Sequence, residues 1–260
     1  MVQTASRIAP APDWRLAVVL LLLVGIAVVA SYVGQLGVQR EQVAAAARAV
    51  LQLAVVSLVI TAALGSVLLS LGFVLVMFSV ATWTSTGRIG TPRGQLPFVA
   101  LAIASGAVPV LALIFATGLV PFNGAGIVPV AGIVIGNTMT AATLTGRRAY
   151  AEIGGQLGVY EAALALGMRS FDAAYEVVRP TAREALMPGL DQTRTVGLVT
   201  LPGAFIGVLL GGGTPLEAGA AQILVLIGLM AGQALTAAVL LRLVAAARVV
   251  PTAMAGRYPR

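Results

Sequence analysis

What most constrains this chain is a recurrence of apolar segments long enough to cross a membrane. They run near Arg15–Tyr32, Ala44–Leu64, Gly65–Trp83, Pro97–Leu119, Ile127–Leu144, Val196–Leu210 and Ala218–Leu241, almost free of formal charge. A hydrocarbon core of ~30 Å asks for about 20 such residues of helix. The second and third segments nearly fuse at Leu64-Gly65-Ser66, where only a tight reversal fits. The sixth is short, is closed by Gly211-Gly212-Gly213 and can begin as early as Gly189, so six or eight spans also fit the pattern. Composition agrees: AVILMFWYC residues make up 59% of the 260 and DEKR only 10%, against roughly 25% charged in a soluble protein. The expectation is an all-α polytopic membrane protein of about seven helices, a single membrane domain over residues 1–260.

Charge placement gives the orientation. With the C-terminus inside, Arg40, Arg48, Arg88, Arg93, Arg147, Arg148, Arg169, Arg179, Arg183, Arg194, Arg242, Arg248, Arg257 and Arg260 fall on the cytoplasmic side, and only Arg7 and Arg15 outside: 14 against 2. Short cytoplasmic loops are enriched in arginine and lysine, so the N-terminus is expected outside. The net charge of +7 then reads as a topology signal, with no nucleic-acid partner expected. Met1–Asp13 lacks the layout of a cleaved secretory signal, and the first segment is expected to remain as a span. No inverted repeat of the secondary-transporter kind stands out.

Absent residue types exclude chemistry. Cysteine and histidine are missing, and every basic residue is arginine. Thiolate metal sites and imidazole bases are therefore excluded, and so is a P-loop, whose lysine reaches the phosphates. No catalytic residue and no cofactor of its own is expected. Any ATP and magnesium belong to a separate subunit. The abundance of arginine, alanine, glycine and valine suits a GC-rich genome, which points to a bacterial inner membrane.

Gly146–Arg194 is the one extended polar stretch and holds six of the nine acidic residues. A short helix over Glu161–Leu166 is expected to stop at Gly167, which tolerates the left-handed conformation that follows a helix. Ser170 is then expected to cap a second helix with Asp172 in its first turn, broken near Pro180. Glu161-Ala162-Ala163, three residues, Gly167, nine residues and Val177-Val178-Arg179-Pro180 resemble the EAA loop of ABC importer permeases, Glu-Ala-Ala-x3-Gly-x9-Ile-x-Leu-Pro. Val177 and Arg179 depart from that consensus. In such permeases the loop docks into a groove of the ATPase subunit. The resemblance thereby implies a coupling role for Glu161, Ala162, Ala163, Leu164, Leu166, Gly167 and Met168. An amphipathic helix lying on the membrane surface fits the same residues.

A broader resemblance lies in two longer stretches. Ile127-Val128-Pro129-Val130-Ala131-Gly132-Ile133-Val134-Ile135-Gly136-Asn137-Thr138-Met139 resembles the Ile-Pro-x-Ala-Gly-Met-x-x-Gly-Asn-x-Met signature of the UPF0014 family. Ala185-Leu186-Met187-Pro188 with Asp191, followed by Arg194-Thr195-Val196-Gly197-Leu198-Val199-Thr200-Leu201-Pro202-Gly203, is similar to its second signature. There Arg194 stands where lysine is frequent, and Ala204 where methionine is common. Arg48 with Gln52-Leu53 is similar to a third, weaker one. That family includes a bacterial iron-export permease and plant aluminium-tolerance permeases. The resemblance implies the membrane subunit of an ABC transporter, exporting a metal or metal complex as a homodimer with two ATPase subunits.

Polar residues inside the spans supply the candidates for a pathway. No carboxylate lies deep in a segment: Glu217 sits at the outer end of the seventh and Asp191 at the inner entry to the sixth. Ion-coupled transporters keep such groups near the midplane, so the drive is expected to come from outside the chain. Gln52, Asn137, Met139, Thr140 and Gln233 are the pathway candidates, although Ser, Thr, Asn and Gln also bond helix to helix. Gly136-Asn137 after Pro129 suggests irregular backbone, which at membrane depth requires protein or a water-filled cavity around it. Pro129, Gly132, Gly136, Gly197, Pro202 and Gly203 are the hinge candidates. On a regular helix Asn137 and Met139 stand about 200° apart and cannot both face one passage. Met77, Met139 and Met230 could offer soft metal ligands but equally fill gaps in packing, so no firm metal site emerges. Two other functions remain open: an ABC permease for another cargo such as a sugar nucleotide, and a seven-span receptor or scaffold that transports nothing.

Overall fold

The computed structural model describes residues 13–254, and the chain falls into two compact units, Met1–Ala62 and Ala63–Arg260. Arg7, Arg257, Arg260 and both chain ends, whose sidedness the arginine count addresses, lie outside the described residues. The first unit holds α1 (Trp14–Val33) and most of α2 (Gln39–Leu64). Asp13 caps α1 by accepting from the Leu16 N–H at 3.0 Å. At the turn, Ser31 donates to Gln42 Oε1 and Gln39 Nε2 donates to the Ser31 carbonyl, both at 3.0 Å. These bonds tie the end of α1 to the start of α2.

The second unit continues with α3 (Val67–Ile89), α4 (Leu96–Ala116), α5 (Gly124–Gly155), α6 (Leu157–Ala165), α7 (Ser170–Val178), α8 (Thr181–Thr195), α9 (Gly203–Leu210) and α10 (Pro215–Ala245). The interruption expected at Leu64-Gly65-Ser66 is present, since α2 ends at Leu64 and α3 starts at Val67. α10 starts with a reciprocal cap: the Glu217 N–H donates to Thr214 Oγ1, and Glu217 Oε2 accepts from the Thr214 N–H at 2.7 Å, which satisfies two of the orphan groups of a helix start.

Small residues let the four long helices of this second unit close. A Cβ on Gly106 of α4 would overlap the Gly232 carbonyl and Thr236 Oγ1 of α10. One on Gly132 of α5 would come 2.8 Å from Met77 Cε of α3. Lipid gives apolar helices no hydrophobic reason to associate, so close backbone approach and interhelical bonds carry the packing. Ser85 and Thr143 supply one such bond between α3 and α5, buried, at 3.0 Å. Two apolar cores result. One is built around Ala107, Val110, Val134 and Leu229. The other lies toward the arginine-rich end, where α7 adds Ala174, Val177 and Val178 to Ile153, Leu240 and Val244.

Among the described residues, six helices are long and apolar enough to span a membrane: α1, α2, α3, α4 with its preceding turn, α5 and α10. The all-α polytopic expectation therefore holds, and the difference lies in the sixth apolar segment. Val196–Leu210 is not one helix. Gly197 takes φ +81° and Thr200 folds back on Val196, and α9, of 8 residues, begins only at Gly203. Glycine tolerates that φ because it has no Cβ, and Pro202 has no N–H to extend α9 backward.

Two local expectations are corrected. α5 runs unbroken through Pro129, Gly136 and Asn137. Pro129 sits in the second turn, and Asn137 Nδ2 donates to the Ile133 carbonyl of its own helix at 2.9 Å, so the backbone ladder continues. Ser170 does not cap α7 but is its first residue, after Arg169. Its hydroxyl instead lies 3.0 Å from the Tyr160 hydroxyl. Asp172 does fall in the first turn, and the chain breaks between Val178 and Thr181 around Pro180, as expected.

Candidate functional site

Three helices meet at one polar point within the membrane-spanning bundle. Gln233 of α10 donates from Nε2 to Asn137 Oδ1 of α5 at 3.3 Å, and Gly189 of α8 sits so close that a Cβ there would overlap the Gln233 side-chain amide. Two residues singled out separately in the sequence are thus bonded to each other, while Gly189 was not among the candidates. Only its position beside Gln233 marks it. Gln233 is buried and Asn137 half-buried. Thr140, one helical step further on, is exposed and bonds back to the Gly136 carbonyl at 3.0 Å. No atom of another helix lies within 4 Å of a Cβ placed on Gly136, so α5 presents an open stripe of Gly136 and Thr140 beside the junction.

The other candidates are placed differently. Met139 packs against both apolar cores, in keeping with its angular separation from Asn137. Gln52 lies on α2 in the first unit with its side chain exposed. Pro129 is exposed on α5, Gly132 receives Met77, and Gly197, Pro202 and Gly203 form the break between α8 and α9. Among the described residues no three His, Cys, Asp or Glu side chains come together as a metal site. A groove of about 630 Å³ between α4 and α10 is lined by apolar side chains such as Ile114, Ile223 and Ile227.

At the arginine-rich end, α6 forms a compact projection. Its helix ends with Gly167 at φ +89°, where the Gly167 N–H donates to the Leu164 carbonyl at 2.9 Å and the Met168 N–H to the Ala163 carbonyl at 3.1 Å. This left-handed stop returns the chain sharply. Tyr160 is 1% exposed and anchors α6 to α7 through Ser170. Ala163 and Leu164 pack against the second core. Glu161, Ala162, Ala165, Leu166 and Met168 are exposed, Leu166 at 86%. The seven residues linked to coupling therefore divide by position: Ala163 and Leu164 hold the projection, Gly167 shapes it, and Glu161, Ala162, Leu166 and Met168 form its outer face. Arg169 donates to Asp172 at 2.7 Å, and this hydrogen bond and charge raise the pKa of its guanidinium above the ordinary value.

The sequence of residues 14–248 matches the model of an uncharacterised protein family, UPF0014. The chain belongs to the UPF0014 family. It is 37% identical over 214 residues to the UPF0014 membrane protein STAR2 of rice, covering 80% of this chain and 74% of that one. It is 35% identical over 221 residues to the protein ALUMINUM SENSITIVE 3 of Arabidopsis thaliana, covering 82% and 79%. To the probable iron export permease protein FetB of Escherichia coli it is 29% identical over 211 residues, covering 79% and 80%. No solved structure matches the chain. Within this UPF0014 chain both the polar junction and the α6 projection fall inside the matched region.

Proposed function

We propose that this UPF0014 chain is the membrane subunit of an ABC transporter, a homodimer that binds two separate ATPase subunits and exports a metal ion or metal complex. The observation that carries the reading is the α6 projection. A short rigid helix, stopped sharply at Gly167 and pinned by Tyr160, offers Glu161, Ala162 and Leu166 as a knob for a cleft in a partner. Behind it lies α7, packed on both α5 and α10. A push on α6 therefore reaches, through α7, the two helices that hold Asn137 and Gln233. ATP-driven closure of the ATPase pair tilts these inner helix ends and switches the passage between its two openings.

The arginine distribution supports a bacterial inner-membrane setting, with α6 and the C-terminus in the cytoplasm and the N-terminus outside. The name of the Escherichia coli relative supports iron as cargo and export as direction. With neither Cys nor His in the chain, the metal meets amide, hydroxyl and carboxylate oxygens or travels as a chelate. Co-expression with its ATPase subunit tests the assembly: the pair is expected to purify together at equal stoichiometry. A chain that is stable but recovers no ATPase subunit supports a receptor or scaffold instead.

A further inference from the structure

α8 carries an ion pair alongside the middle of the long apolar helix α10. Three contacts set its height against α10. The Phe205 N–H of α9 donates to Gln222 Oε1 at 3.3 Å, Gly189 of α8 meets Gln233, and α7 shares the second core with Leu240 and Val244. Chain order runs α7, α8, α9 while α10 is climbed from its last turn to its first. These three helices together form one broken crossing antiparallel to α10. Residues 191–194 therefore stand beside the stretch of α10 between Gln233 and Gln222, whose midpoint is within a turn of Met230, the middle residue of the 31 in that helix. Glu217 and Arg242 bound the uncharged part of α10, and Met230 lies about 20 Å from the first and about 18 Å from the second at a rise of 1.5 Å per residue.

At that height, and not at the inner entry and cytoplasmic side where the sequence pattern puts them, Asp191 and Arg194 form an ion pair at 3.5 Å with their side chains 59% and 65% exposed. Gln192 beside them is exposed. Glu184, two turns earlier on the same face as Asp191, pairs with Arg148 of α5 at 3.3 Å. Just beyond lies the second sign, the non-helical backbone of Val196–Pro202. Charged side chains within a membrane face a bundle interior or water, and non-helical backbone at membrane depth requires protein or water around it. Both features, on consecutive stretches of one segment, require protein or water beside them in place of lipid.

We infer that the exposed face of α8 lines a water-filled passage within the membrane, and that Asp191 and Arg194 are the charged station in it that sorts hydrophilic cargo by sign. Asp191 draws cations, and Arg194, one turn away, limits how tightly they are held and opposes their passage when unpaired. In the homodimer proposed above, on which this inference rests for its second wall, the opposite side is the same face of the second copy.

The chain is free of cysteine, which makes the test direct. Gln192→Cys, Leu166→Cys and Leu113→Cys are placed in lipid vesicles and treated with small charged methanethiosulfonates or a long polyethylene-glycol maleimide. Leu113, 68% exposed in the apolar groove, sets the hydrocarbon baseline, and Leu166 sets the open-water limit. Gln192→Cys is expected to react with the small reagents at least tenfold faster than Leu113→Cys and to refuse the long one, as a narrow wet passage requires. Reaction with both reagents at the rate of Leu166→Cys places α8 outside the membrane and overturns the inference, and failure to react with either does so too. Added to Gln192→Cys, Asp191→Asn is expected to lower the cationic-to-anionic rate ratio severalfold, and Arg194→Gln to raise it. An unchanged ratio in both removes the charge station. Cross-linking of Leu198→Cys between two copies reports the homodimer separately, so a failure of dimerisation is not mistaken for a dry α8.

Discussion

Asn137 on α5 accepts a hydrogen bond from Gln233 on α10 at 3.3 Å, and that bond couples two long helices of the bundle at the point where α8 closes over them. Both helices have α7 packed against them, and in the mechanism proposed above α7 carries movement of the α6 projection to this junction. Asn137→Leu leaves the Gln233 amide without this partner, a loss of about 0.6 kcal/mol for a side-chain bond between membrane helices, and puts an apolar side chain at the polar junction. Transport by Asn137→Leu is expected to fall strongly while expression and dimer assembly hold. Normal transport in Asn137→Leu together with loss in Met139→Leu would place the passage on the opposite face of α5.

The energetic coupling of the pair is measurable by itself. A double-mutant cycle with Asn137→Leu and Gln233→Leu, read by equilibrium unfolding in lipid, is expected to return about 0.6 kcal/mol, the average for side-chain bonds between membrane helices. A coupling of zero means that the two amides are each satisfied elsewhere.

Glycines separate by what a methyl group would meet. Gly106→Ala drives a Cβ into the Gly232 carbonyl and Thr236 Oγ1, whereas Gly136→Ala meets nothing within 4 Å. Overpacking costs about 1–3 kcal/mol, so Gly106→Ala is expected to lower the thermal midpoint in detergent by several degrees, with Gly136→Ala close to the parent protein. Equal midpoints in the two variants contradict the close crossing of α4 and α10.

The outer face of α6 carries a further expectation. Leu166→Glu puts charge on the most exposed apolar side chain of the projection without touching Tyr160, Ala163 or Leu164. It is expected to cut recovery of the ATPase subunit at least tenfold in co-purification and to leave the thermal midpoint of the membrane subunit unchanged. Undiminished recovery assigns α6 to the membrane surface.

Sidedness follows from the same projection. Leu166→Cys and Leu119→Cys lie at opposite ends of the second unit's spans and are expected to react with an impermeant maleimide from opposite sides of the membrane, Leu166→Cys from the cytoplasm. Same-side reaction breaks the topology.

Much of this architecture was legible in the sequence because hydrocarbon imposes a length and a polarity that composition reveals directly. The left-handed stop at Gly167 and the break at Pro180 were legible for local reasons, one requiring a permissive φ and the other lacking a donor. The junction was half legible. Asn137 and Gln233 stand out as amides in apolar surroundings, but their pairing spans 96 positions and leaves no local trace. Gly136-Asn137 misled because an amide that can bond to its own helix preserves regular backbone as readily as it breaks it. α8 was hidden for a different reason. Asp191 and Arg194 give it a polar composition that reads as a loop outside the membrane, and only its contacts with α10 set its depth.

In the mechanism proposed here a separate ATPase drives metal through this chain, and hydrolysis by the reconstituted pair reads that coupling. Membrane subunit and ATPase subunit are assembled in lipid and titrated with metal salts, metal chelates and nucleotide sugars, and phosphate release is recorded. Basal hydrolysis is expected to rise severalfold with a metal or metal chelate and to lose that stimulation in Asn137→Leu. Hydrolysis that ignores every metal and rises with a nucleotide sugar would contradict the cargo, and hydrolysis indifferent to the presence of the membrane subunit would contradict the coupling itself.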